Sequence, residues 1–200
     1  MKMIKPMKTI KLLALFFMSS LILTSCSSDD DGHDDDHDHE EELITTVIYT
    51  LTEKNTDVDD NSSITLTFTD IDGPGGENPS YAVSETLLSN TEYTGKLQLL
   101  NATDDPAEDI TEEVKEEADE HEFFFSSTIS GLTISKNDTD EDGNPVGIES
   151  TLTTGDAGTG TLTIILKHEP TKPNDGTSAN AGGSTDVEVT FDISVVDPVK

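Results

Sequence analysis

The chain has one cysteine and no tryptophan in 200 residues, and all eleven of its basic residues are lysines. A lone cysteine, Cys26, forms no disulfide within the chain and cannot build a cysteine zinc site, so the fold must rest on a packed core. With 42 acids against those lysines the formal charge is −31. A surface of that sign repels nucleic acid and anionic phospholipid, whose recognition depends on Lys and Arg meeting phosphate, so nucleic acid is excluded as a partner. Acidity of this degree favours solubility and the attraction of cations; the plainer reading is a well-solvated exported protein. Aromatics make up only 5% of the chain, which leaves a core of mainly Leu, Ile and Val and few stacking platforms for sugars. No G-x-S-x-G elbow, P-loop or H-E-x-x-H motif occurs, and carboxylate pairs carry no information among so many acids. A non-enzymatic role is expected.

What is present begins with Cys26, which closes Leu23-Thr24-Ser25-Cys26 after a leader bearing Lys2, Lys5, Lys8 and Lys11 and an apolar run from Leu12 to Leu23. That is the pattern of a lipoprotein signal, with residues 1–25 removed and Cys26 acylated. Each acyl methylene buried in a bilayer contributes about 0.8 kcal/mol, so two or three chains hold the protein on a membrane. The alternative is an uncleaved anchor, but the apolar stretch falls short of the roughly 20 residues that a span needs. Loss of the leader leaves seven lysines against 42 acids, a formal charge of −35.

Residues 27–42, SSDDDGHDDDHDHEEE, hold no apolar side chain and cannot offset the entropy of ordering, so residues 26–42 are expected to form a disordered tether. Residues 43–200 then form a single domain of about 160 residues, an ordinary domain size. Ile64, Leu66 and Phe68 alternate with threonines, and Val187, Val189, Phe191, Ile193 and Val195 alternate with polar residues, the period of half-buried antiparallel strands. Further strands are expected near 43–52, 92–101, 122–129, 146–154 and 160–168, with weaker candidates at 81–88 and 131–135. One amphipathic helix breaks the pattern, with Asp105 as N-cap, Pro106 in the first turn, Glu108 in a capping-box position, and Ala107, Ile110, Val114 and Ala118 on its apolar face. Seven to nine strands without a βαβ rhythm predict an all-β, antiparallel β-sandwich of immunoglobulin-like type, with a closed barrel as the alternative. The long segment from Glu169 to Thr185, rich in Pro and Gly, is either a functional loop or surface slack.

Three histidines, His33, His37 and His39, stand among the acids of the tether. Imidazole suits zinc and copper and carboxylates can fill further positions, so the tether is a candidate collector of transition metal; the alternative is a solubility tag. His121 and His168 fall in the domain. If they converge they form a two-histidine site completed by a carboxylate; a histidine at a helix end otherwise serves as a cap. Asp138-Thr139-Asp140-Glu141-Asp142-Gly143-Asn144, closed by Glu149, has the twelve-position spacing of a calcium loop, in which alternate oxygens converge on a hard cation. It resembles EF-hand loops over these residues only, because the flanks read as strands and Pro145 occupies a position that is normally apolar. Asp70-Ile71-Asp72-Gly73 is a weaker loop of the same kind.

Cys26-Ser27-Ser28-Asp29-Asp30-Asp31 resembles the signal that sends Bacteroidota lipoproteins to the outer membrane and often to its outer face. HDHEEELITTV at 37–47, DITEEVKEEADEHEFFF at 109–125 and GDAGTGTLTIILKHEP at 155–170 resemble a group of small acidic flavobacterial lipoproteins. Some of these carry the label "type 1 periplasmic binding fold superfamily", which implies a two-lobed α/β architecture where the strand pattern implies a sandwich. The resemblance also implies a TonB-dependent receptor as partner. The expectation is a lipid-anchored outer-membrane protein that binds zinc or copper. The alternatives are a calcium-stiffened adhesion or receptor-accessory module whose tether is only a spacer, and a purely structural surface protein.

Overall fold

The computed structural model describes residues 43–54, 63–73 and 75–199, which belong to one compact unit. Two sheets face one another. The larger is built from β1 (Thr46–Glu53), β2 (Ser63–Thr69), β3 (Ser80–Val83), β5 (Glu92–Asn101), β8 (Thr133–Lys136) and β9 (Glu149–Thr153) in the order β3-β2-β1-β5-β9-β8, with the two-residue β6 (Glu108–Asp109) on the end of β5. The smaller has β4 (Leu87–Leu88), β7 (His121–Ser127), β10 (Gly158–His168) and β11 (Ser184–Val196) in the order β4-β11-β10-β7. All pairings are antiparallel except that of β4 with β11. The protein is an all-β sandwich, and the two-lobed α/β architecture implied by the label is not its architecture.

Alternation decides which faces meet. On β5, Tyr93, Leu97 and Leu99 are buried while Thr94, Lys96 and Gln98 are exposed. Val47, Tyr49 and Leu51 of β1 and Leu66 of β2 continue that inner face against Leu162, Ile164 and Leu166 of β10 and Val189, Phe191 and Ile193 of β11. Each such side chain withdrawn from water contributes about 1.5–3 kcal/mol. Tyr49 crosses Gly95 to share a 2.7 Å hydrogen bond with the buried Ser150 hydroxyl. A Cβ at Gly95 would lie 2.4 Å from the Tyr49 hydroxyl, so only glycine permits the crossing. Burial, partly offset by Ser150, pushes the Tyr49 phenol up to about 12.

Three details differ from the sequence expectation. Among the described residues eleven strands form rather than seven to nine, partly because the 81–88 segment splits: β3 joins the large sheet and β4 the small one. The helix is shorter and later. α1 runs Ile110–Glu116, capped by the Asp109 carboxylate on the Thr111 N–H rather than by Asp105, because Glu108 and Asp109 first pair with β5. Of its buried positions, Ile110, Thr111 and Val114, the first and last are two of those expected. A second short helix, α2 (Ser178–Ala181), lies in the 169–185 loop, where none was expected.

Candidate metal centre

β7 and β10 pair so that Phe125 meets Ile164, Phe123 meets Leu166 and His121 meets His168. The two imidazoles therefore extend two apolar stripes by one step at the end of the core. Their rings stack with centroids 4.8 Å apart and planes 19° apart. His121 is 0% exposed and His168 5%. His168 stands where strand alternation from Leu162 and Leu166 places it. Of the two expected places for His121, on the apolar side of the helix or just past its end, the structure has the second: the chain leaves α1 at Glu116, turns through 117–120, and His121 opens β7.

A carboxylate joins them by a different device. β10 and β11 pair step for step from Gly158 and Val195 to Leu166 and Val187, then resume at Lys167 and Thr185, so β11 accommodates one extra residue, Asp186. This is a β-bulge, a feature that re-aims a side chain. Regular alternation from Val187 and Val189 would turn Asp186 outward with Glu188; instead its side chain is 0% exposed. Its Oδ2 is 3.9 Å from His121 Nε2. One donor atom from each of His121, His168 and Asp186 lies within 4.8 Å of the others. Gly183 makes the start of β11 possible: it has φ +66°, and a Cβ there would lie 2.2 Å from the His168 carbonyl oxygen.

The orientation of His121 is fixed from the helix end. Its Nδ1 lies 3.1 Å from the carbonyl oxygen of Glu117, the C-cap of α1. A carbonyl only accepts, so Nδ1 carries the hydrogen, and in the neutral ring Nε2 keeps its lone pair on the side of Asp186. Around His168 a second group forms: Glu120 Oε2 lies 3.5 Å from His168 Nε2, and Glu169 brings a further carboxylate within 4.8 Å. Glu120 is 35% exposed, so this side faces water.

Two imidazoles and a carboxylate are the donor set of zinc and copper sites. Ligand atoms held 2.0–2.2 Å from a tetrahedral ion stand roughly 3.3–3.6 Å apart, so His121 and Asp186, at 3.9 Å, need to close by only a few tenths of an ångström and no pair by more than about 1.5 Å. The 169–183 loop packs over this end. Lys172 Nζ donates to the Ala118 carbonyl at 2.6 Å, to the His121 carbonyl at 2.7 Å and to Asp140 Oδ2 at 3.3 Å. The long segment therefore helps position a ligand strand.

The calcium-loop residues are placed differently. Asp138, Asp140, Asp142 and Glu149 are not among the described groups of three or more carboxylate or imidazole donors that converge. Asp138 accepts the Gly147 and Ile148 N–H groups at 2.8 and 2.9 Å. Asp140 is buried and accepts from the Asp142 and Asn144 backbone N–H groups, the Asn144 amide and Lys172, whose ammonium stands beside the carboxylate as a cation would. Glu149 is exposed at the start of β9, in register with Lys96. In the weaker loop, Asp70 and Asp72 accept N–H groups of Gly73 and Glu77. Cys26, His33, His37 and His39 lie outside the described residues, as does the whole leader.

Sequence reasoning missed Asp186. It is one acid among 42 at a position that period two sends outward, and the only hint is Gly182-Gly183 just before the strand, where glycine marks a close backbone approach. Among the described residues no helix is long and apolar enough to cross a membrane. Comparison of the chain with protein-family models, with curated proteins and with solved structures returned no match.

Proposed function

We propose that the protein is a lipid-anchored, non-enzymatic outer-membrane protein that binds a divalent transition metal, zinc or copper, through His121, His168 and Asp186. The observation that carries this reading is the convergence of two buried imidazoles and a bulge-directed carboxylate at one end of the core. Glu120 is the nearest candidate for a fourth ligand. His33, His37 and His39 serve as a collector on the tether, Cys26 carries the lipid, and a TonB-dependent receptor is the partner; the support for the first two is the sequence pattern alone, and for the third only the resemblance to flavobacterial lipoproteins. The calcium alternative has less support, because Asp138 and Asp140 already accept backbone N–H groups and Lys172 takes the cation position.

Calorimetric titration of the full-length protein with zinc and with copper tests the reading. The His121→Ala/His168→Ala variant should lose one site relative to wild type while the tether histidines remain available. Equal stoichiometry and affinity in the two proteins would refute a site in the sandwich.

A further inference from the structure

We infer that Lys136 and Asn174 are joined by an intramolecular isopeptide bond whose formation Glu122 promotes. The inference is independent of metal binding. Glu122 faces away from the core on β7, yet its side chain is only 3% exposed, and its two carboxylate oxygens hold two different nitrogens. Oε1 is hydrogen-bonded to Lys136 Nζ at the end of β8, and Oε2 accepts from Asn174 Nδ2 of the β10–β11 loop at 2.6 Å. One carboxylate thus spans a nucleophile and the leaving group of a carboxamide. The three side chains line a cavity of about 210 Å³ together with Pro145 and Pro173. Lys136 Nζ also sits 4.3 Å above the Phe124 ring, with its side chain 15% exposed. Burial pushes its ammonium below the ordinary lysine range, against the opposing pull of Glu122. A neutral amine is the form that attacks.

The chemistry is a transamidation and needs no co-reactant. Lys136 Nζ adds to Asn174 Cγ, Glu122 takes a proton from that nitrogen and hands it to Nδ2, the Cγ–Nδ2 bond breaks, and ammonia leaves. No oxidant takes part, and the product is a secondary amide. In a chain without disulfides, such a bond would staple the β10–β11 loop to β8 next to His121.

The test is peptide mapping by mass spectrometry of the full-length protein. The wild type should yield a branched peptide that joins Lys136 to Asn174 and is lighter by one ammonia than its two linear parts. Glu122→Gln and Lys136→Arg should each yield linear peptides only. Linear peptides alone from the wild type would overturn the inference whether or not the variants fold, and a branch that persists in Glu122→Gln would overturn the role given to that carboxylate.

Discussion

Asp186→Asn separates a metal ligand from a structural charge pair, because the two roles predict opposite results. Asparagine keeps the volume of the side chain and leaves the bulge at Asp186 intact. If Asp186 and a protonated His121 formed a stabilising buried pair, removing one partner would cost about 3–5 kcal/mol whatever the metal content. Their 3.9 Å separation is long for a charge-assisted hydrogen bond, which argues against that role. If Asp186 is a ligand, removing its buried negative charge relieves desolvation in the metal-free protein, and asparagine should leave that stability unchanged or raise it. Zinc reverses the order. At a free concentration one hundred times Kd a bound ion stabilises the wild type by about 2.7 kcal/mol. A variant with a hundredfold weaker site retains about 0.4 kcal/mol under the same conditions. For a domain of this size each kcal/mol moves Tm by about 2–4 °C, so zinc should raise the wild type by roughly 5–11 °C and the variant by about 1–2 °C. Scanning calorimetry in chelator and in buffered zinc reads both terms. A variant equally less stable than wild type in both media would sink the metal assignment and leave a structural pair.

Gly183→Ala should destabilise the fold by about 1–3 kcal/mol in urea titration, since a Cβ there meets the His168 carbonyl at 2.2 Å on a residue with positive φ; a neutral outcome would mean that β11 does not start as described. Tyr49→Phe leaves the Ser150 hydroxyl buried without its 2.7 Å partner and should cost about 1–2 kcal/mol. In a double-mutant cycle with Ser150→Ala the costs should be non-additive, and additive costs would dismiss the bond as a stabilising one. Asp140 controls part of the acid limb of stability. Burial raises its carboxyl, but hydrogen bonds from Asn144 and from Lys172 outweigh burial and hold it below the ordinary carboxylate value. Its contribution is therefore complete above the unfolded value, near 4, and is lost as pH falls through the lower folded value. Asp140→Asn should lower stability at neutral pH and flatten the acid limb followed by circular dichroism; a limb parallel to that of wild type would contradict this.

The sandwich was legible because its strands alternate without compensation. The strand expected at 92–101 coincides with β5, and the Val187–Val195 alternation faces the core as its pattern requires. Element starts were less legible. Asp105-Pro106-Ala107-Glu108 has a good capping signature, yet Asn101 and Leu100 of β5 recruit Glu108 and Asp109 as a short strand first, and the cap moves to Asp109. A long-range pairing therefore overrode a local preference, and no window confined to residues 105–118 contains the competing partner.

The candidate site divides along the same line. His168 follows from strand period alone, since it continues Leu162, Ile164 and Leu166. His121 depends on a four-residue turn after α1, and Asp186 on a register shift between two strands that meet across a fifteen-residue loop. Those contributions are tertiary. The cluster of buried Glu122 with half-buried Lys136 and Asn174 is more remote still, because it draws one residue each from β7, β8 and the 169–183 loop. The loop is the common factor. Through Lys172 it grips the His121 carbonyl, through Asn174 it meets Glu122, and through Gly183 it sets His168 against the start of β11. A segment that composition leaves as either function or slack is held at three points around the histidine pair. If the histidine pair binds zinc as proposed, substitutions in this loop should therefore alter that affinity without touching either ring.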